Sequence, residues 1–118
     1  MRALCEFTAV YLHRDVVDFR KSINGLSVIV EQGMGLSPYD AALFVFCNKR
    51  RDKLKILYWD KTGFCLWYKR LEQDKFKWPK KSLSEVVTLS SEQMDWLLRG
   101  FDISKIQPHV SQQYCALS

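Results

Sequence analysis

The chain has 118 residues, of which 47% are hydrophobic and 26% charged, and its formal net charge is +5. This length suits one domain that buries its own core, and this composition excludes a disordered chain. The longest apolar run, residues 41–47, is far shorter than the roughly 20 residues of a membrane helix. Glu6 and Thr8 interrupt the region where a secretion signal needs an unbroken apolar segment, so we expect a cytoplasmic protein without a membrane partner.

The residue types that hold metals and disulfides are few and scattered. The 4 cysteines show no C-x-x-C spacing, and the 2 histidines lie far apart in the sequence. Structural zinc sites use closely spaced cysteine and histidine ligands. We therefore expect reduced thiols, no metal site and no cofactor.

The basic charge is concentrated in the middle of the chain. Residues 49–81 hold 12 Lys/Arg against 4 Asp/Glu, a local net charge of +8. Such a field favours polyanions, with nucleic acid ahead of an anionic membrane. A solvated face that only keeps the protein soluble explains the same charge run equally well.

The first half of the chain predicts a short strand and a long helix. Val10-Tyr11-Leu12 has a strand pattern, and apolar residues at helical spacing predict a helix from Phe19 to Met34. Asp18 is well placed to cap the start of this helix through a backbone N–H. Gly33 and Gly35 offer its C-terminal stop, and Pro38 bars continuation.

Strand patterns dominate the second half. We predict strands over residues 42–47, 53–59, 64–70 and 75–78, and a fifth over 86–89. Their short connections favour an antiparallel meander over a crossover fold. A second helix follows, for which Ser90 and Gln93 fit a capping box and Gly100 fits the end.

These elements predict an α+β fold, with an antiparallel β-meander of about four to five strands packed by the N-terminal helix and followed by a short C-terminal helix. We expect one globular domain over residues 1–107 and a flexible tail over residues 108–118.

The predicted hairpin turn is Asp60-Lys61-Thr62-Gly63. It has the residues of a type I turn followed by a left-handed glycine. The resulting register places Leu57 opposite Trp67 and Lys55 opposite Lys69. Because like charges directly opposite each other destabilise a sheet, an anion between the two lysines would relieve their repulsion.

The aromatic residues of the same predicted face would then serve as stacking groups. Trp59 and Trp67 could stack a base beside phosphate-contacting cations. In the alternative interpretation, the two tryptophans lie beneath a helix and the lysines extend past its edge. A register shifted by one residue would exchange the two faces.

Catalytic motifs are absent from the sequence. It has no G-x-x-x-x-G-K-[ST] phosphate-binding loop, and its carboxylates do not form the cluster that two-metal phosphoryl transfer needs. We therefore predict that the protein is not an enzyme.

Four segments carry a family resemblance: DFRKSINGL at Asp18–Leu26, LFVF at Leu43–Phe46, KILYWDKTGFCLWYKRLE at Lys55–Glu72 and FKWP at Phe76–Pro79. In this order they resemble TnpB, the second open-reading-frame protein of insertion sequence sixty-six type transposons. The resemblance runs from about residue 10 to residue 100. This family is distinct from the RNA-guided nucleases that share its name.

The resemblance implies an accessory protein of DNA transposition that acts beside a separate transposase, with no assigned active site. It identifies motif positions without giving their roles, and these are Asp18, Arg20, Lys21, Gly25, Asp60, Gly63, Trp78 and Pro79.

We therefore expect the protein to bind DNA, either at transposon ends or non-specifically, through a basic and aromatic hairpin surface and to assist the transposase of its element. The predicted phosphate contacts are Lys49, Arg50, Arg51, Lys53, Lys55, Lys69 and Arg70, with Trp59 and Trp67 as stacking or packing groups.

The alternative is an adaptor that binds the transposase, or a second copy of the chain as a homo-oligomer, through Trp59, Trp67 and Trp96. A nuclease is a third hypothesis, and it would require metal-dependent cutting that a single carboxylate change abolishes.

Overall fold

The computed structural model describes Phe7, residues 9–78 and residues 85–101. Pro79 and the predicted tail over residues 108–118 lie outside the described residues.

The described residues form five strands and two α-helices. The strands are β1 (Ala9–His13), β2 (Ala42–Cys47), β3 (Lys53–Asp60), β4 (Gly63–Arg70) and β5 (Val86–Leu89). The helices are α1 (Ile23–Val28), which continues as a π-helical turn (Ile29–Gly33), and α2 (Ser91–Leu98).

The five strands form one mixed sheet in the order β4-β3-β2-β1-β5. β1 and β2 are parallel, whereas the other three neighbouring pairs are antiparallel. The α+β class is confirmed, but the purely antiparallel meander is wrong. The reason is the connection between β1 and β2, which includes α1 and is long enough to return the chain in its original direction.

Each face of the sheet is covered by one helix. We call the face under α1 and the π-helical turn the α1 face, where Leu26 and Val30 are buried with Phe44. We call the opposite face the α2 face, where Met94 and Leu97 of α2 are buried. Because both faces are covered, all six residues of β2 are buried, as expected for a continuous apolar run.

The predicted N-terminal helix is shorter than its apolar pattern suggests. α1 begins at Ile23 after the N-cap residue Ser22, so Asp18 is not its cap. The predicted strand over residues 75–78 is also wrong, since these residues do not pair with the sheet. Phe76 and Trp78 from this segment are instead buried in the core on the α2 face.

The predicted details of α2 are confirmed. The backbone N–H of Gln93 donates to Ser90 Oγ at 3.0 Å, and the backbone N–H of Ser90 donates to Gln93 Oε1 at 2.9 Å. Gly100 follows the helix with a φ of +85°, a conformation that favours glycine.

The hairpin between β3 and β4 has a two-residue loop, so the predicted register is wrong by one residue. Asp60 pairs with Gly63, and Lys55 pairs with Tyr68. The left-handed residue is Lys61, with a φ of 51°, and not Gly63. The shift brings Lys55 and Tyr68 together on the α1 face and places Lys69 on the α2 face.

Candidate nucleic-acid interface

Three chain segments meet at one end of the sheet, and we call this region the basic end. It comprises residues 13–21, 47–55 and 69–78. The backbone N–H of Val17 donates to the Cys47 carbonyl at 2.9 Å, and that of Phe76 donates to the Arg51 carbonyl at 2.7 Å. These segments contain 12 Lys/Arg and 5 Asp/Glu, a net charge of +7. The fold therefore gathers the basic charge at one end.

Some cations of the basic end are neutralised by a neighbouring acid. Arg70 Nε lies 2.8 Å from Glu72 Oε1, and Lys77 Nζ lies 3.6 Å from Asp74 Oδ1. Across residues 7, 9–78 and 85–101, no carboxylate forms an ion pair with Lys49, Arg50 or Lys53. Among the described cations of the basic end without an ion pair are the exposed Lys49 and Arg50 of the β2–β3 loop, the half-buried Lys53 just after it, and the exposed Lys21 and Lys75.

The β2–β3 loop is held by its own side chains. Asn48 donates through Nδ2 to Asp52 Oδ1 at 2.7 Å and accepts the backbone N–H of Lys53 at Oδ1, at 3.0 Å. The Asn48 hydrogen bond also lowers the pKa of Asp52. This loop presents Lys49 and Arg50 as exposed side chains.

Arg51 differs from its exposed neighbours. It has a φ of 60°, and its side chain is half-buried. Its Nε is buried without a hydrogen-bond partner among the residues that the structure describes. Arg51 is therefore less accessible to a DNA phosphate than Lys49 or Arg50.

Lys55 and Lys69 do not face each other, which removes the like-charge pair expected from the sequence. Lys55 Nζ donates to the carbonyls of Phe19 and Lys21, each at 2.9 Å, and lies 4.8 Å from the centroid of the Phe19 ring. Lys69 Nζ donates at 2.8 Å to the carbonyl of Leu98. That carbonyl lies at the C-terminal end of α2, where the helix dipole attracts a cation. Both ammonium groups therefore hold the fold together.

The motif residues Asp18, Arg20 and Lys21, which have the pattern D-x-R-K, form a tight turn ahead of α1. The backbone N–H of Arg20 donates to Asp18 Oδ1 at 2.9 Å, and Arg20 Nη2 donates to Asp18 Oδ2 at 2.6 Å. These contacts with Arg20 hold the pKa of Asp18 down at about 2. The turn presents the carbonyls of Phe19 and Lys21, and both accept hydrogen bonds from the Lys55 ammonium group. Asp18 is thus a turn residue, and the motif is the docking partner of Lys55.

Gly25 completes this motif by leaving space for Lys21. A Cβ atom at Gly25 would lie 3.1 Å from Lys21 Cβ and 3.2 Å from Lys21 Cγ. A larger residue would require the Lys21 side chain to shift by a few tenths of an ångström. Glycine at position 25 therefore avoids a tight contact with the residue whose carbonyl accepts from Lys55.

The two tryptophans chosen from the sequence lie apart from each other. Trp59 lies near the opposite end of β3, with its ring centroid 5.0 Å from those of Tyr39 and Phe64. Trp67 packs against the core on the α2 face. Neither tryptophan joins the exposed cations of the β2–β3 loop.

The remaining motif residues have structural positions. Asp60 and Gly63 are the last cross-strand pair of the hairpin. Trp78 is 4% exposed, and its Nε1 donates to the Arg14 carbonyl at 2.9 Å and to the His13 carbonyl at 3.2 Å. The indole therefore ties the segment after β4 to the end of β1.

Sequence reasoning missed Tyr68. The predicted register placed it on the face opposite the one shared by Lys55 and Lys69, but the side chain is 49% exposed on the α1 face, where it pairs with Lys55. Tyr68 and Arg70 are separated by two residues and share a face of β4. In the correct register, this alternation would have identified an aromatic residue beside the exposed cations.

The described part of the chain contains no group of three or more His, Cys, Asp or Glu residues that could hold a metal ion. Within the same residues, no helix is long and apolar enough to cross a membrane.

Known proteins resemble this chain over most of its length. A family model described as IS66 Orf2 like protein matches residues 8–108. The uncharacterized protein y4jC of Sinorhizobium fredii (strain NBRC 101917 / NGR234) is 36% identical over 91 residues, which cover 77% of each chain. The uncharacterized protein y4hO of the same strain is 32% identical over 93 residues, which cover 79% of this chain and 80% of the relative. No solved structure matches the chain significantly.

Proposed function

The chain belongs to the IS66 Orf2-like family, which implies an accessory protein of DNA transposition, and we propose that it serves this role by binding DNA through the basic end. The observation that carries the proposal is the net charge of +7 in the three segments of that end. Lys49, Arg50 and Lys53 lie there without an ion-pair partner among the described residues.

Duplex DNA carries a dense row of phosphates with condensed counterions. A protein that contacts phosphates releases these counterions, and this release drives binding at low salt. The contacts are independent of base sequence, so they would hold the protein on the transposon DNA while a separate transposase performs the chemistry.

The test is fluorescence anisotropy of labelled transposon-end DNA and a scrambled control across a salt series. Binding should weaken linearly on logarithmic axes, with a slope of about −0.9 for each phosphate contacted in duplex DNA. Changing Lys49, Arg50 and Lys53 together to glutamine should make the slope shallower by up to about 3. Preference for the transposon end over the scrambled DNA would add a targeting role.

Lys61→Gln is the control, because it removes a positive charge that lies outside the basic end. Lys61 is an exposed cation in the hairpin loop, at the far end of β3 from Lys53. Its replacement should leave the salt slope unchanged if the basic end is the site. Absence of salt-dependent binding at low salt, in a folded protein, would contradict the proposal.

A second candidate function is a protein adaptor, and a different surface favours it. Tyr39 is 60% exposed and packs edge-on against Trp59, away from the basic end. Exposed aromatic residues often anchor protein partners. Capture of the transposase that survives high salt but is lost in Tyr39→Ala would favour this function, and capture removed by nuclease treatment would favour DNA binding.

A further inference from the structure

An exposed aromatic ring lies among the cations of the basic end. Tyr68 is in β4, which is an edge strand of the sheet, and its side chain is 49% exposed. Its ring centroid lies 6.4 Å from that of Phe19, with the ring planes at 54°. Phe19 is part of the turn that binds Lys55, so the ring of Tyr68 rests beside a fixed segment of the chain.

Two cations share the face and the strand end of Tyr68. Arg70 lies two residues further along β4, about 7 Å away by ordinary strand geometry. Its ion pair with Glu72 is exposed on both sides and contributes little to stability, so a phosphate can replace the carboxylate. Lys53 is the cross-strand partner of Arg70. Directly opposite residues on a sheet have Cβ atoms about 5 Å apart. If a base contacts Tyr68, the phosphates on either side of that nucleotide would therefore lie close enough to reach Arg70 and Lys53.

The form of DNA decides whether this ring can contribute. In a duplex, the flat faces of the bases are already stacked on their neighbours, and only base edges and the backbone are accessible. In a single strand, a base can turn out and stack on an aromatic ring, which contributes about 1–3 kcal/mol per base.

We propose that Tyr68 is a stacking platform for an unpaired base, with Arg70 and Lys53 holding the adjoining phosphates, so that the basic end takes single-stranded DNA in preference to duplex. The inference rests on the proposed function and adds the class of nucleic acid to it. Unpaired DNA is the form in which both the ring and the cations are engaged.

The test compares three labelled probes of equal length: a single strand, the corresponding duplex and an abasic single strand that keeps its phosphates but lacks bases. The single strand should bind more tightly than the abasic strand by about 5-fold to 150-fold, the factor that corresponds to one stacked base. Tyr68→Leu should remove most of this difference while leaving the affinity for the abasic strand unchanged. Tyr68→Phe, which keeps the ring, should retain it.

Tyr39→Leu is the matched control, because Tyr39 is a second exposed tyrosine that lies away from the basic end. It should leave the affinities for all three probes unchanged. As a second readout, a single strand that contains 5-iododeoxyuridine should cross-link to Tyr68 on irradiation, as mapped by mass spectrometry.

The outcomes separate this inference from the proposed function. Equal binding of the single strand and the abasic strand, or an unchanged preference in Tyr68→Leu, would overturn the stacking platform while leaving phosphate binding in place. Failure of the unaltered protein to bind any of the three probes at low salt would overturn both.

Discussion

Replacing Lys55 with methionine removes an ammonium group but keeps an unbranched side chain of similar length. In the native fold, Lys55 Nζ donates to the carbonyls of Phe19 and Lys21 at 2.9 Å each. It also lies 4.8 Å from the centroid of the Phe19 ring. The variant would leave both carbonyls without this donor and release the turn from the sheet.

The size of the loss follows from these contacts. A hydrogen bond from a charged donor contributes about 1.5–3 kcal/mol when protected from water, and an exposed cation–π contact about 0.5–1 kcal/mol. Lys55 is only half-buried, so solvent screens part of each term. We expect the free energy of unfolding to fall by about 2–3 kcal/mol in total. For a domain of this size, the melting temperature should fall by about 8–12 °C.

Urea denaturation followed by circular dichroism measures this free energy directly. The matched control is Lys53→Met, which removes the same group from the same face of β3, two residues earlier. Lys53 has no ion pair across the described ranges, so its replacement should change stability by less than about 0.5 kcal/mol. Equal stabilities of the two variants would refute the role assigned to Lys55.

Three further predictions concern other contacts of the fold. Because the pKa of Asp18 is held at about 2, below its ordinary value of 3.8, the ionised carboxylate stabilises the fold above about pH 4 and this contribution is lost as the pH falls towards 2. Asp18→Asn should remove that part of the pH dependence, as measured by urea denaturation between pH 5 and pH 2, and an unchanged profile would contradict the assignment. Trp78→Phe should lower the free energy of unfolding by about 1–3 kcal/mol, because the indole donor to the Arg14 carbonyl is lost inside the core. Thermal denaturation measures this loss, and an unchanged melting temperature would show that the hydrogen bond does not stabilise the fold. Burial raises the pKa of the Cys47 thiol to about 12, so iodoacetamide at pH 8 should leave the peptide that contains Cys47 unmodified in the folded protein. The same reagent should modify this peptide when the protein is unfolded in urea. Rapid modification of the native thiol would refute its burial.

Local signals in the sequence were sufficient where one short interaction decides the structure. Ser90 and Gln93 cap α2 as predicted, because both partners of a capping box lie within one helical turn. The apolar run of β2 is a buried strand for an equally direct reason, since its side chains are covered on both faces.

Long-range pairing explains what the sequence did not predict. The turn residues of the hairpin suggested that Gly63 would be left-handed, but Lys61 adopts that conformation and shortens the loop to two residues. This one-residue difference changes which side chains share a face. Lys55 therefore pairs with Tyr68 and not with Lys69, and the Tyr68 ring lies on the α1 face. Periodicity extended the first helix back to Phe19, because the pattern could not show that Phe19 packs beside the sheet as part of a turn.

The sequence predicted where the basic residues of the candidate site are concentrated, but it did not predict the contacts that individual lysine side chains make. Counting Lys and Arg located the basic segment, since charge depends only on composition. Assigning Lys55 and Lys69 to phosphates required knowledge of which backbone carbonyls would come near them. Their acceptors lie 34, 36 and 29 residues away along the chain, beyond the reach of any local pattern.

The strand order also has a consequence for how the chain folds as it leaves the ribosome. β2, β3 and β4 are joined by short loops, so they can assemble from contiguous sequence. β1 is made first but lies between β2 and β5, and its second neighbour is complete only when residue 89 has been synthesised. Until then, β1 has an open hydrogen-bonding edge that can recruit another chain. The interval between the synthesis of β1 and that of β5 is therefore the period in which a nascent chain is most exposed to misassembly.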